Sequence, residues 1–236
     1  MINGPIHCLA ISPHPSDPDF GIGGTAAKWI RQGKKVVYVI ATNGDKGSSD
    51  PDLLPDVLAK TREREQLEAA RMLGISEVVF LRHPDMGLED EPHFRKEILK
   101  LILSYRPEIV ATCDPYNPPI INNRDHRVTG RVVLDAVWPT AQAPNNYRDL
   151  LAEGLQLHRV KELLLWGSPT QQNIRYDITE TYELKMKACR THVSQIGPPG
   201  NPEFDAQLVK SAETIGKADG YKYAEAFFRM DVLQRL

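Results

Sequence analysis

The stretch Ile11-Ser-Pro-His14-Pro-Ser16-Asp17-Pro-Asp19-Phe-Gly-Ile-Gly-Gly24-Thr25 decides the fold. An apolar run at 6–11 precedes it and has the length of a buried strand, and a helical pattern follows it from Thr25 to Gly33. The prolines favour an extended loop, because each one fixes its own φ and biases the preceding residue away from the helical region. In an open α/β sheet, ligands bind where loops leave the carboxyl ends of strands. We therefore expect a strand, a stiff functional loop and a helix.

This loop places His14, Asp17 and Asp19 within six residues. A stiff loop that presents a histidine and an aspartate three residues apart lets both side chains converge on one metal ion at little cost in entropy. The alternative is an ordinary polar turn in which an aspartate caps the next helix. From these residues alone, both interpretations remain open.

The rest of the chain repeats the alternation of strand and helix. Further strands are predicted at 35–41, 77–81, 108–112 and 160–166, with a last edge strand at 221–230. Amphipathic helices are predicted at 57–73, 94–104, 128–137, 182–193 and 203–217. This rhythm predicts an α/β protein whose single, mostly parallel sheet carries helices on both faces.

Composition narrows the class of protein. With 41% hydrophobic and 25% charged residues and a net charge of -2, the 236-residue chain is typical of one soluble globular domain over 1–236, and no basic field favours nucleic acid as a partner. Three cysteines without a CxxC pair indicate a reducing compartment, the cytoplasm, and no cysteine-based zinc site. We expect neither a membrane span nor a signal peptide. Nucleotide binding is disfavoured, because no glycine-rich fingerprint follows the first strand.

A second long loop, at 113–127, follows the fourth predicted strand and ends near His126. Loops of this length in compact domains are often functional. If both loops open on one sheet edge, His14, Asp17 and His126 meet in space. Two imidazoles and one carboxylate leave a fourth position open, as in a catalytic zinc site. Because such an ion activates water and polarises a carbonyl, the implied reaction is hydrolysis of an amide or ester.

With these two motifs, the chain resembles the LmbE/PIG-L family of zinc-dependent N-deacetylases. The first family motif, (A/P)-H-P-D-D-x-E/D-F/x-G-x-G-G-T, corresponds to residues 13–25, and the second, H-x-D-H-R, corresponds to 123–127. The resemblance covers about residues 5–196. Smaller matches are Arg62-x-x-Glu65, Leu73-Gly74, Pro84-Asp85 and the segment from Lys185 to Gln195.

The resemblance implies a Rossmann-like three-layer α/β/α sandwich and one zinc ion per chain. Its ligands would be His14, Asp17 and His126, and Arg62 would contact the substrate. The substrate would be an N-acyl amino sugar or glycoside, or an amide of a sugar-linked thiol, and the chain would form a homo-oligomer such as a trimer or hexamer. Asp45, in a loop that can line the sugar site, and His192, which matches a family motif or packs a helix, are further candidates for substrate binding.

Two positions depart from the family pattern. Ser16 stands where the family has the aspartate that acts as general base, and a serine hydroxyl cannot take a proton as a carboxylate does. Asp19 or Asp125 could replace it, although Asp125 is also placed to orient a ligand or cap the helix. Asn123 stands where the family has a histidine; it can donate a hydrogen bond to an oxyanion but cannot deliver a proton. The alternative function is therefore a metal- and sugar-binding family member that has lost efficient hydrolysis.

Overall fold

The structure is a computed structural model that describes residues 5–48, 50–116, 123–168, 170–197 and 202–234. These residues form a seven-stranded sheet in the order β3-β2-β1-β4-β5-β7-β6. Its strands are β1 (Cys8–Ser12), β2 (Val36–Thr42), β3 (Glu77–His83), β4 (Ile109–Cys113), β5 (Glu162–Trp166), β6 (Ile174–Asp177) and β7 (Ala224–Asp231). Strands β1 to β5 pair in parallel, whereas β7 runs antiparallel to both β5 and β6.

Helices cover both faces of this sheet. They are α1 (Asp17–Arg31), α2 (Pro55–Leu73), α3 (Pro92–Tyr105), α4 (Arg124–Val137), α5 (Arg148–Ala152), α6 (Tyr182–Cys189), α7 (Val193–Ile196) and α8 (Pro202–Lys217), with a 3₁₀ turn at Thr140–Gln142. Among the described residues, no helix combines the length and the apolar character that crossing a membrane requires.

Alternation along the strands separates two hydrophobic cores. In β1, Leu9 and Ile11 point to the face covered by α3 and α4, whereas Cys8 and Ala10 point to the face covered by α1, α2 and α6. All four side chains are fully buried. Because a buried parallel strand meets apolar neighbours on both faces, its sequence is continuously apolar. The prediction of a mostly parallel α/β/α sandwich is confirmed.

The topology also determines where a ligand can bind. Strand β1 pairs with β2 on one side and with β4 on the other. The loops after β1 and β4 therefore leave the same sheet edge at the point where the strand order reverses, which is where open α/β sheets bind ligands.

Helix α1 differs from its prediction, because it begins at Asp17 and not at Thr25. Pro18 is acceptable in the first turn, where its missing N–H costs no hydrogen bond. The glycines that resemble loop residues are needed for close packing. A Cβ on Gly21 would lie 2.7 Å from the Trp166 ring, and a Cβ on Gly24 would lie 2.7 Å from Ile178 Cδ1. The helix can approach β5 and the turn after β6 only because these side chains are absent.

The end of the chain holds a second difference. Strand β7 was predicted at the edge, but it lies inside the sheet with β6 outside it. Strand β6 was not predicted: its four residues, Ile-Arg-Tyr-Asp, are half-buried and too few to show a clear period. The helix predicted at 182–193 is also divided, since α6 ends at Cys189 and α7 starts at Val193.

Candidate metal centre and active site

The first loop and the start of α1 form one half of the candidate metal centre. His14 lies two residues beyond β1, and Asp17 is the first residue of α1. The backbone N–H of His14 donates to Asp17 Oδ2 over 2.9 Å, and His14 Nδ1 lies 3.2 Å from the same oxygen. This local bond aims both side chains at one point.

His126 completes the centre from the first turn of α4. This helix begins at Arg124, four residues before its predicted start, so His126 is helical. Its Nε2 lies 3.4 Å from Asp17 Oδ2, and its ring centre lies 5.3 Å from that of His14. One donor atom from each of the three residues falls within 4.8 Å of the others. Two imidazoles and one carboxylate at this spacing fit a tetrahedral metal ion with one open position.

The second ring nitrogen of His14 faces two carboxylates. Its Nε2 lies 3.1 Å from Asp85 Oδ1 and 3.4 Å from Asp125 Oδ2, although neither contact has the angle of a hydrogen bond. Asp125 is 0% exposed, and its Oδ2 also accepts the N–H of Met86 over 2.7 Å. Carboxylates that hold the outer nitrogen of a ligating histidine fix its orientation and raise its basicity.

Asp85 was not among the predicted site residues. It lies two residues beyond β3 and is 4% exposed. The available signal was the Pro84-Asp85 match to the family, together with a position after a strand of the same sheet. The polar residues His83 and Asp85 in a short loop are weak evidence for a site by themselves. They become informative when the sheet order shows that β3 ends at the same edge as β1.

Electrostatics reflect this concentration of carboxylates. Burial lowers the pKa of His14, but the contacts with neighbouring carboxylates, led by Asp125, outweigh burial and raise that pKa to about 11. Burial raises the pKa of Asp17, but His126 and His14 outweigh it and lower that pKa to about 2. Burial lowers the pKa of His126, and the opposing effect of Asp17 does not overcome it. These directions favour a charged imidazolium at His14 and a neutral imidazole at His126 before a metal binds.

Metal binding is accordingly expected to release about one proton per ion at pH 7, because His14 must lose its Nδ1 proton to become a ligand. Calorimetric titration of zinc in two buffers of different ionisation enthalpy measures this number. The apparent affinity should rise about tenfold between pH 7 and pH 8, since one proton competes with the metal. A titration without proton uptake by the buffer would contradict the charged state of His14.

Arg62 and Asp45 lie on the β2 side of the centre. Arg62 is 3% exposed, and its guanidinium donates to the carbonyl of Gly44 over 2.9 Å and to that of Pro15 over 2.8 Å. A Cβ on Gly44 would lie 2.6 Å from Arg62 Nη1, so this glycine makes room for the contact. Burial lowers the pKa of Arg62, and Asp17 opposes that shift. The arginine thus joins the loops after β1 and β2, and Asp45, the residue after Gly44, is half-buried.

A cavity of about 470 Å³ borders the centre on the opposite side. Asp17 and His126 form part of its wall, together with Cys113 and Trp166 at the ends of β4 and β5. The thiol of Cys113 is buried, and burial raises its pKa, which makes it an inert wall residue. The centre is therefore open to a space large enough for a small organic group.

Comparison with known proteins identifies the family. The family described as PIG-L, GlcNAc-PI de-N-acetylase, matches residues 9–137, which hold all three candidate ligands. The chain belongs to the PIG-L family. A diacetylchitobiose deacetylase from Thermococcus kodakarensis is 34% identical over 92% of this chain and 80% of its own length. A probable N-acetyl-alpha-D-glucosaminyl L-malate deacetylase 2 from Bacillus anthracis is 27% identical over 80% of this chain and 81% of its own length.

Solved structures extend the likeness beyond the matched segment. The N,N'-diacetylchitobiose deacetylase from Pyrococcus horikoshii, complexed with its inhibitor MPG, superposes with a TM-score of 0.89 at 33% identity. The alignment covers 95% of this chain and 84% of that one. The PIG-L fold therefore includes the part of the chain after residue 137 that closes the cavity.

Ser16, the first departure from the PIG-L motif, belongs to a buried network. It has a φ of 84°, and its N–H donates to Gln66 Oε1 over 2.7 Å. Gln66 Nε2 donates to Asp19 Oδ2 over 2.8 Å, and His192 Nε2 lies 2.8 Å from that oxygen. Asp19, His192 and Gln66 are each 0% exposed. Gln66 was not predicted, because a glutamine within a charged helix gives no signal of its own.

Asn123, the second departure, caps α4. Its side-chain oxygen accepts the N–H of Asp125 over 2.8 Å, and its Nδ2 lies 3.8 Å from Met86 Sδ. Asn123 is exposed. Residues 117–122 of the preceding loop lie outside the described part of the chain. In this PIG-L member, the residue that replaces the motif histidine starts the helix that carries His126.

Proposed function

We propose that this protein is a metal-dependent hydrolase that removes an acyl group, acetyl in the relatives, from the amide nitrogen of an amino sugar or sugar conjugate. The observation that carries the proposal is the convergence of His14, Asp17 and His126 beside a cavity, in a chain of the PIG-L family. We propose zinc, one ion per chain, because two imidazoles and one carboxylate form a common catalytic zinc site.

Held by His14, Asp17 and His126, a zinc ion would polarise the acyl carbonyl as a Lewis acid and would lower the pKa of water. The residues of the chain do the rest. The carboxylates of Asp85 and Asp125 lie 3.1 and 3.4 Å from the outer nitrogen of His14, where they favour one orientation of its ring. Arg62 joins the two loops that face the substrate. The substrate contacts of Asp45, Arg62 and His192 and the oxyanion contact of Asn123 remain predictions.

The proposed mechanism departs from the family pattern at the general base. Residue 16 lies between the two ligands of the first loop, and its hydroxyl is a poor proton acceptor at neutral pH. The hydrogen bond to Gln66 and the full burial of Asp19 support a positioning role for that carboxylate, not a base. The contact with His14 supports a positioning role for Asp125. We therefore infer slow hydrolysis, and Ser16 favours a second candidate function, that of a metal- and sugar-binding protein.

A further part of the proposal concerns domain organisation, location and assembly. We propose one domain over 1–236 that acts in the cytoplasm, supported by three free cysteines, all of them buried. From the resemblance to the family, we also propose that the chain forms a homo-oligomer, a trimer or a hexamer.

The decisive experiment is metal analysis of purified protein alongside an assay for free amine released from N-acetylglucosamine and N,N'-diacetylchitobiose. We expect about one zinc per chain and slow amine release that a chelator stops and added zinc restores. Zinc without amine release would favour the binding function. A protein that binds no divalent metal would overturn both.

A further inference from the structure

The cavity beside the metal centre is larger than the removal of an acetyl group requires. Beyond Asp17 and His126, the cavity extends between α1, α6 and α8 and the ends of β5 and β7. Its apolar lining includes Phe20, Trp166, Met186, Leu208, Ala212 and Ile215. A methyl group is about the size of a water molecule, about 30 Å³, so an acetyl group leaves most of this cavity of about 470 Å³ unfilled.

The two sides of the metal centre differ in chemistry. The ligands come from the loops after β1 and β4, at the middle of the sheet order. On the β2 and β3 side lie charged side chains, Arg62, Asp45 and Asp85, of which Asp45 is the least buried. On the β5 and β7 side lies the apolar cavity. The acyl chain and the amide nitrogen leave the carbonyl carbon of an amide in different directions. At this centre, one direction leads to charged side chains and the other leads to the apolar cavity.

Two charged residues in the cavity wall do not disturb this picture. Lys185 Nζ lies 2.5 Å from Glu225 Oε1 and donates to the carbonyl of Phe20 over 2.7 Å. The Glu225 carboxylate accepts the N–H groups of Gly24 and Thr25 over 2.9 and 2.8 Å. Because these two charges neutralise each other and are bonded to α1, neither charge lacks a polar partner when an apolar group occupies the cavity.

We propose that this cavity is an acyl-chain subsite and that the protein prefers N-acyl amino sugars whose acyl group is longer than acetyl. The inference rests on the proposed function, because it takes the carbonyl to lie at the metal centre. The sugar then faces the β2 and β3 loops, and the chain enters between α6 and α8. Apolar area buried in a preformed cavity stabilises the bound state in proportion to chain length.

The test compares N-acetyl-, N-butanoyl- and N-hexanoylglucosamine with the zinc-loaded protein, by amine release and by calorimetric binding. We expect kcat/KM to rise about fourfold per added methylene, the equivalent of about 0.8 kcal/mol. Binding should tighten in the same order. The hexyl glycoside of N-acetylglucosamine, whose alkyl chain is on the other side of the sugar, should gain much less.

Variants of α8 connect this effect to the cavity. Ala212→Phe fills the lining and should remove the gain with chain length. Ala206→Phe is the matched control, because Ala206 is exposed on the same helix and is not part of the cavity wall. Ser211→Phe at the exposed rim makes the same test if Ala212→Phe does not fold.

The outcomes separate this inference from the proposed function. If N-acetylglucosamine is hydrolysed and the rate falls as the acyl chain becomes longer, the subsite is overturned and the deacetylase function is retained. Tight binding of the hexanoyl compound without release of amine would support the subsite and contradict hydrolysis. Equal gains for the hexyl glycoside, or gains that survive Ala212→Phe and Ser211→Phe, would place the chain elsewhere and overturn the inference.

Discussion

Replacing His126 with alanine is expected to weaken zinc binding more than about 100-fold and to lower kcat/KM for N-acetyl amino-sugar hydrolysis about a thousandfold. His126 supplies one of three converging donors, and its loss leaves Asp17 and His14 as an incomplete site. Alanine is the residue best accepted in a helix, so α4 should remain folded. Zinc content after dialysis, the rate of amine release and circular dichroism measure the three consequences.

The matched control is His93→Ala. His93 carries the same side chain in the first turn of another helix, α3, but its side chain is 71% exposed and faces Glu97. This variant should keep its zinc and its activity. If His126→Ala also retained about one zinc per chain, the proposed set of ligands would be wrong.

Restoring a carboxylate with Ser16→Asp is expected to raise kcat about 10²- to 10⁴-fold, the usual contribution of a positioned general base. Residue 16 is 5% exposed and lies between the two ligands of the first loop, so a carboxylate there is adjacent to the metal centre. Its φ of 84° is a conformation that aspartate adopts more readily than most residues. The measurement is amine release at saturating substrate, with zinc content held at one ion per chain.

Ser16→Asn is the control for this gain. Asparagine matches aspartate in shape and in its tolerance of positive φ, but it cannot accept the proton. It should therefore show no increase in turnover, and both variants should unfold at similar temperatures. An equal increase in the two would show that the side-chain shape matters and its basicity does not. An unchanged rate in an already active Ser16→Asp protein would mean that another group is the base.

Much of the architecture could be predicted from the sequence, because the signals are local. Apolar runs bounded by glycine and proline predicted β1 to β5, which follow from the burial of parallel strands on both faces. The start of α1 was predicted eight residues too late. Gly21 and Gly24 have no local feature that distinguishes a loop from a closely packed helix, and the deciding neighbours, Trp166 and Ile178, are far away in the chain.

The candidate site also has one part that the sequence alone predicts and one part that it does not. The sequence by itself determined the family motifs and the three residues whose donor atoms the fold brings together, His14, Asp17 and His126. Only the tertiary structure decided that Asp85 faces His14, that Gln66 and His192 hold Asp19, and that β7 and α8 close an apolar cavity beside the centre. The physical reason is that a sequence motif identifies side chains that lie in one loop and serve one function. Burial, sheet order and the neighbours of a carboxylate arise only when segments up to 201 residues apart are packed together.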